Sequence, residues 1–161
     1  MSNSQKFLQV VNNPFRSLIF LFWKLPAAFF SGVRIKYADE QKAIVTVPFK
    51  WLTQNPFRST YFASLSMAAE MSTGVLAMAH LYEQQPPVSM LITRVESTFY
   101  KKCRERITFT CEDGESLRSV INETMASGKS VAFNARSKGT NSAGEIVAEF
   151  QFTWSFKVKP A

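Results

Sequence analysis

The sequence predicts an α+β fold: a curved antiparallel sheet of about six strands wrapped around one long central helix, with an extra N-terminal helix. Three observations carry this expectation. The first is the stretch from Tyr61 to Tyr82, whose only ionisable side chains besides those two tyrosines are Glu70 and His80. A surface helix carries charges along one face; a helix apolar all round is buried on several sides. The second is the final segment, where Ile146, Ala148, Phe150, Phe152, Trp154, Phe156 and Val158 alternate with Glu149, Gln151, Thr153, Ser155 and Lys157. That alternation belongs to an antiparallel strand with one buried and one exposed face. The third is the order of elements, with strand patterns on both sides of the apolar helix. A twisted sheet curling around that helix supplies the cover it needs.

The elements follow in order. Asn13 can cap a helix that has Pro14 at its first position, and Pro26 must end that helix. The apolar run Ser17 to Phe30 contains Lys24 and Pro26 and lacks an A-x-A exit, which argues against a secretory signal. It is also shorter than the ~20 residues of a membrane span. It reads as an amphipathic helix from about Pro14 to Trp23 that docks on the body of the domain, with peripheral membrane contact as the minority reading. Gly32 opens a strand, VRIKY. A turn at ADEQ leads to KAIVTVPF, where Ala43, Val45, Val47 and Phe49 share one face.

TQNPFRS is a loop, because a residue before proline disfavours helix. Ser59 or Thr60 can cap the long helix, which runs to about Glu83 and stops at QQPP. SMLITRVESTFY and RITFTCE read as strands. GESLRSVINETMASG is a short amphipathic helix with Leu117, Ile121 and Met125 as its apolar stripe. KSVAFNARSK and EIVAEFQFTWSFKVK complete the sheet. No repeat or linker interrupts the chain, so residues 1–161 read as one domain with 1–31 as a helical extension.

Composition bounds the function. The 161 residues suffice for one full core, and 46% apolar content excludes disorder. Lys and Arg number 19 against 12 Asp and Glu, a net charge of +7. Such a surface suits nucleic acid, an anionic membrane or a phosphorylated small molecule such as coenzyme A. No arginine-rich tail or nucleic-acid motif is present, so no nucleic-acid partner is expected. Cys103 and Cys111 have neither redox nor metal spacing. With a single histidine in the chain, no metal site is expected. The cysteines read as free thiols of a reducing, cytoplasmic compartment.

The helix YFASLSMAAEMSTG, with Asn55 on the loop before it and the closing strand GEIVAEFQFTWSFKVK, resembles the hotdog thioesterases. The pattern looks most like the branch catalogued as domain of unknown function 4442, over about Gly32 to Lys159. Thioesterases of the phenylacetate-pathway type carry an Asn-containing loop, a His-Gly-Gly turn and then a helix with an acidic residue among small neighbours. Ala68-Ala69-Glu70-Met71-Ser72 is similar to that acidic segment. Phe62-Ala63-Ser64 stands in place of His-Gly-Gly. The resemblance implies an acyl-CoA or other acyl-thioester substrate, no cofactor, and a homodimer or dimer of dimers with the site between subunits.

Thioester hydrolysis needs a base or nucleophile, an oxyanion site and a slot for the acyl chain. Glu70 is the candidate base or nucleophile, and burial would raise its pKa into a useful range. Asn55 is the candidate for orienting the thioester or the water. Ala63 and Ser64 offer backbone N–H groups near the positive end of the helix. Helix spacing puts Ser66, Thr73 and Gly74 near the face of Glu70 as substrate-binding candidates. Lys101, Lys102, Arg104 and Arg106 are candidates for coenzyme A phosphates.

Each residue also has a plainer reading. Glu70 can be a buried structural carboxylate, Asn55 a turn former, Ser66 and Thr73 packing residues, and the basic turn a solvated hairpin end. His80 lies ten residues past Glu70, roughly 15 Å along the helix, so the two form no dyad and His80 reads as structural. The competing function is a non-catalytic hotdog module that binds a fatty acyl group, acyl-CoA or a partner protein.

Overall fold

The computed structural model describes residues 2–160. Three helices come first: α1 (Asn3–Asn12), α2 (Pro14–Lys24) and α3 (Pro26–Ser31). The sequence reading foresaw only the middle one. The overlooked signal for α1 is Ser2-Asn3-Ser4-Gln5, a capping box. The Ser2 hydroxyl accepts from the Gln5 amide, and the Gln5 side chain accepts from the Ser2 amide. Asn13 caps α2 as expected, its side chain accepting from the Arg16 amide. Pro26 ends α2 but also starts α3, because proline is favoured at the first helical position.

Strands β1 (Arg34–Ala38) and β2 (Ala43–Val47) follow, then a single 3-10 turn over Trp51–Thr53. The central helix α4 spans Phe62–Leu81. Neither Ser59 nor Thr60 caps it. Tyr61 occupies the cap position without a side-chain bond, because the Thr60 hydroxyl donates to the Cys103 carbonyl and the Ser59 hydroxyl to Asn55. The helix stops at Leu81, short of Glu83, whose φ is 53°. Strands β3 (Val88–Phe99) and β4 (Ile107–Cys111), helix α5 (Gly114–Ser127), and strands β5 (Val131–Thr140) and β6 (Ile146–Val158) complete the chain.

The six strands form one antiparallel sheet in the order β1-β2-β4-β5-β6-β3. Its inner face is apolar: Val45, Phe109, Ala135, Phe150, Phe152, Trp154 and Phe156 are buried, and α4 packs on β2, β4, β5 and β6. Asn134, Arg136, Gln151 and Lys157 point the other way, into solvent. The alternation in β6 holds from Ala148 to Phe156; Ile146, at its start, is exposed. Helix α1 covers another side of α4 with Phe7 and Val11, and α5 a third with Leu117 and Ile121. Among the described residues α4 alone is long and apolar enough to cross a membrane, yet its apolar window is 67% buried in this core.

The two sheet edges differ. On β1 the Asn12 side chain donates to the Ala38 carbonyl and accepts from the Ala38 amide, at 2.7 and 2.8 Å. That edge is short and partly capped. The β3 edge is twelve residues long, and among the described residues no strand pairs beyond it. Val95 and Phe99 pair with Phe152 and Ala148, so they share the inner face, yet they are 50% and 45% exposed.

Candidate functional site

Glu70 lies in the middle of α4 and borders a cavity of about 470 Å³. The walls come from four elements: Phe20, Lys24 and Leu25 from the end of α2, Met71, Gly74, Val75 and Met78 from α4, Met90 from β3 and Trp154 from β6. Apart from the Lys24 ammonium, Glu70 is the sole ionisable group there. Among the described residues no donor bonds its carboxylate and no cation pairs with it. Burial alone therefore acts on it, pushing its carboxyl above the ordinary value.

Helix spacing builds the rest of this wall. Gly74 is one turn on from Glu70, and a Cβ there would stand 3.2 Å from Glu70 Oε1 and 3.7 Å from the Trp154 ring. The absent side chain is what lets the carboxylate lie along the helix beside the indole. Thr73 holds that indole in place. Its hydroxyl accepts from Trp154 Nε1 at 3.0 Å and donates to the Glu70 carbonyl at 2.9 Å.

The other candidates lie at the start of α4. A cavity of about 480 Å³ is bordered by Asn55, Tyr61, Phe62, Phe99, Lys101 and Lys102, among others. Asn55 Oδ1 accepts from the amides of Phe57 and Ser59 and from the Ser59 hydroxyl, a side-chain-closed turn. The Ser64 amide donates to the Tyr61 carbonyl at 2.9 Å. The Phe62 and Ala63 amides precede the first acceptor within the helix and have none elsewhere among the described residues. Lys101 pairs with Glu145 at 2.6 Å, whereas Lys102 makes no ion pair among the described residues. Arg104 and Arg106 are exposed and border neither cavity, and Ser66 is half-buried and borders neither.

Within one chain, then, Glu70, Gly74 and the Thr73-held indole gather in one place. Asn55, Lys101 and Lys102 gather in another. Glu70 is eight residues past Phe62, about 12 Å along the helix. His80 borders neither cavity; its Nε2 lies 3.0 Å from the Glu40 carbonyl, and burial pushes its pKa down. Both cysteines are free and buried, with the Cys111 thiol pushed up to about 12. No cluster of potential metal ligands occurs among the described residues.

The family described as Domain of unknown function (DUF4442) matches residues 16–156. The chain belongs to this family. Solved structures agree on the architecture of this DUF4442 chain. A Pseudomonas aeruginosa protein of unknown function, called a probable thioesterase, superposes with a TM-score of 0.76 at 19% identity, covering 91% of this chain and 97% of its own. A Chlorobaculum tepidum protein of unknown function gives 0.72 at 18%, covering 97% and 94%. A Haemophilus influenzae thioesterase gives 0.64 at 11%, covering 88% and 90%. No curated protein matches the chain. At these identities the likeness shows the fold, and that fold is the thioesterase-like hotdog.

Sequence reasoning reached Glu70 through its isolation but missed most of what surrounds it. Phe20, Lys24, Leu25 and Met90 are distant in the chain and carry no local signature. Trp154 was legible only as one aromatic among several on β6.

Proposed function

We propose that this DUF4442 chain is an acyl-thioester hydrolase, working on acyl-CoA or a related thioester in the cytoplasm, with Glu70 as general base or nucleophile. The observation that carries this reading is the unpartnered carboxylate in an otherwise largely apolar cavity. A structural carboxylate in that position would be expected to hold donors or a cation; this one holds neither. A carboxylate kept from solvent and from partners is a stronger base than one in water. The apolar walls suit an acyl chain, and the thioester carbon would lie beside the carboxylate or beside a water it activates.

The β3 edge offers a way to join the two groups of residues. An antiparallel pairing of two copies centred near Val95 would set Phe99 against Leu91 of the partner subunit. The stretch from Phe99 to Lys102 would then approach Met90 and Glu70 of the partner subunit. Each site would combine a Glu70 cavity from one chain with Asn55, the free first-turn amides and Lys102 from the other. The pairing would also cover an exposed apolar edge. Tyr100 through Lys102 would lie where coenzyme A phosphates leave the cavity, and the Phe62 and Ala63 amides would face the developing oxyanion.

The test is a panel of acyl-CoAs from short to long, followed with a thiol-detecting reagent. Thiol release by the wild type, lost in Glu70→Ala without a drop in thermal midpoint, is the expected result. Ligand-induced thermal stabilisation with no thiol release would overturn hydrolysis. It would leave the second reading, a module that binds acyl groups. That reading draws on the same lack of partners, since nothing in the single chain orients Glu70 toward a water.

A further inference from the structure

We propose that α2, α3 and the Trp51 turn form a docking face for an anionic lipid bilayer, an inference that stands apart from the thioesterase reading. Helix α2 rests on the body of the protein through Ser17 and Leu21, both buried and one turn apart. The opposite side is apolar and faces solvent. Phe15 is 72% and Trp23 74% exposed, with Ile19 and Phe22 between them also exposed. This inverts the usual surface helix, whose charged side faces outward.

The face continues beyond α2. The Phe22 ring meets Trp23, Phe29 and Phe30 with centroids 5.2 to 6.2 Å apart. Lys50 Nζ donates to the Phe30 carbonyl at 2.8 Å, joining α3 to the 3-10 turn on which Trp51 is 79% exposed and Leu52 is exposed. An apolar patch this continuous marks a binding surface.

Charge selects the occupant. Before Asp39 the chain carries Lys6, Arg16, Lys24, Arg34 and Lys36 and no acidic residue. Between Glu40 and Glu70 the only charges are Lys42, Lys50 and Arg58. Two copies meeting through this face would set cation against cation. An anionic bilayer instead places Arg16, Lys24 and Lys50 among phosphates while tryptophan and phenylalanine enter the interfacial layer. Phe20, Lys24 and Leu25 of the same segment border the Glu70 cavity. On the thioesterase reading alone, that cavity would lie just behind the bilayer surface.

The experiment floats the full chain through a density gradient with vesicles of phosphatidylcholine, with and without phosphatidylglycerol. Flotation with the anionic vesicles, weakened by salt, is expected, together with a blue shift of tryptophan emission from Trp23 and Trp51; Trp154 is already buried. The combined variant Phe15→Ser, Trp23→Ser and Phe30→Ser should lose at least about tenfold in vesicle binding at an unchanged thermal midpoint. Wild type that stays with the soluble fraction overturns the proposal. So does a variant that loses an oligomeric contact in sedimentation while floating no worse. Should the combined variant unfold, single Trp23→Ser and Trp51→Ser variants decide, and undiminished flotation of both overturns it.

Discussion

The Glu70 cavity and the Asn55 cavity are close in volume, about 470 and 480 Å³, and both have aromatic side chains in their walls. They treat charge in opposite ways. In the first, the Glu70 carboxyl sits against Gly74 and an indole, with no hydrogen-bond donor among the described residues reaching it. In the second, an asparagine closes its own turn, and among the described residues two first-turn amides have no acceptor and Lys102 at the rim has no ion pair. In the first, burial disfavours the charged form of the one acid present; in the second, the polar groups at the wall are donors. The difference shows how far α4 separates the two places: Glu70 lies eight residues past Phe62, about 12 Å along the helix, and the proposed hydrolysis would need both.

The sharpest way to break this contrast is Glu70→Gln. On any substrate the wild type hydrolyses, kcat/KM should fall at least about 100-fold at neutral pH, and the wild-type rate should climb with pH through a value above 4.5. Stability should move the other way. Because the folded carboxyl is raised, its stabilising contribution is complete below about pH 4.5 and is lost as pH rises through the folded value. The amide cannot ionise, so the variant should melt higher than wild type at neutral pH, and the gap should close as pH falls below 4.5. A variant that melts lower at neutral pH would mean that the carboxylate is held by partners after all.

Val95→Lys tests whether the two cavities meet between subunits. Sedimentation should show a shift from dimer to monomer, and hydrolysis should drop about tenfold or more, because a charge replaces an apolar contact at the centre of the β3 edge. A monomeric wild type, or an active monomeric variant, would break that link. Gly74→Ala should act more gently. Its Cβ would crowd Oε1 at 3.2 Å, so kcat should fall a few-fold, about 3 to 10, with a thermal midpoint little changed. The smallest effect belongs to Lys102→Ala. KM for acyl-CoA should rise about 2- to 5-fold, as loss of one exposed charge contact allows. KM for the acyl-pantetheine, which lacks the nucleotide phosphates, should not move.

How far the sequence could be read depended on the range of the interaction. Strand β6 was legible because alternation is written into consecutive residues. Helix α4 was legible because an apolar run of that length has few other homes. Its start was not: Ser59 and Thr60 are good caps in isolation, but the Cys103 carbonyl and Asn55 recruit their hydroxyls across the fold. Helix α1 was legible in principle, through Ser2 and Gln5. Glu70 stood out as a lone acid, while its surroundings did not, because Phe20, Met90 and Trp154 reach it from three separate elements.

Two apolar helices show where the boundary falls. Sequence alone determined that α2 and α4 would be helices and that both would be rich in apolar side chains, since capping and composition act over one or two turns. The lack of a charged face already placed α4 inside the sheet; only the tertiary structure decided that α1 and α5 complete its cover while α2 turns Phe15 and Trp23 to solvent. Which surfaces arrive from elsewhere in the chain to cover a one-sided helix such as α2 is not encoded in any short-range pattern. The same holds for Glu70: its identity is local, but the burial that raises its proton affinity comes from neighbours up to eighty-four positions away at Trp154.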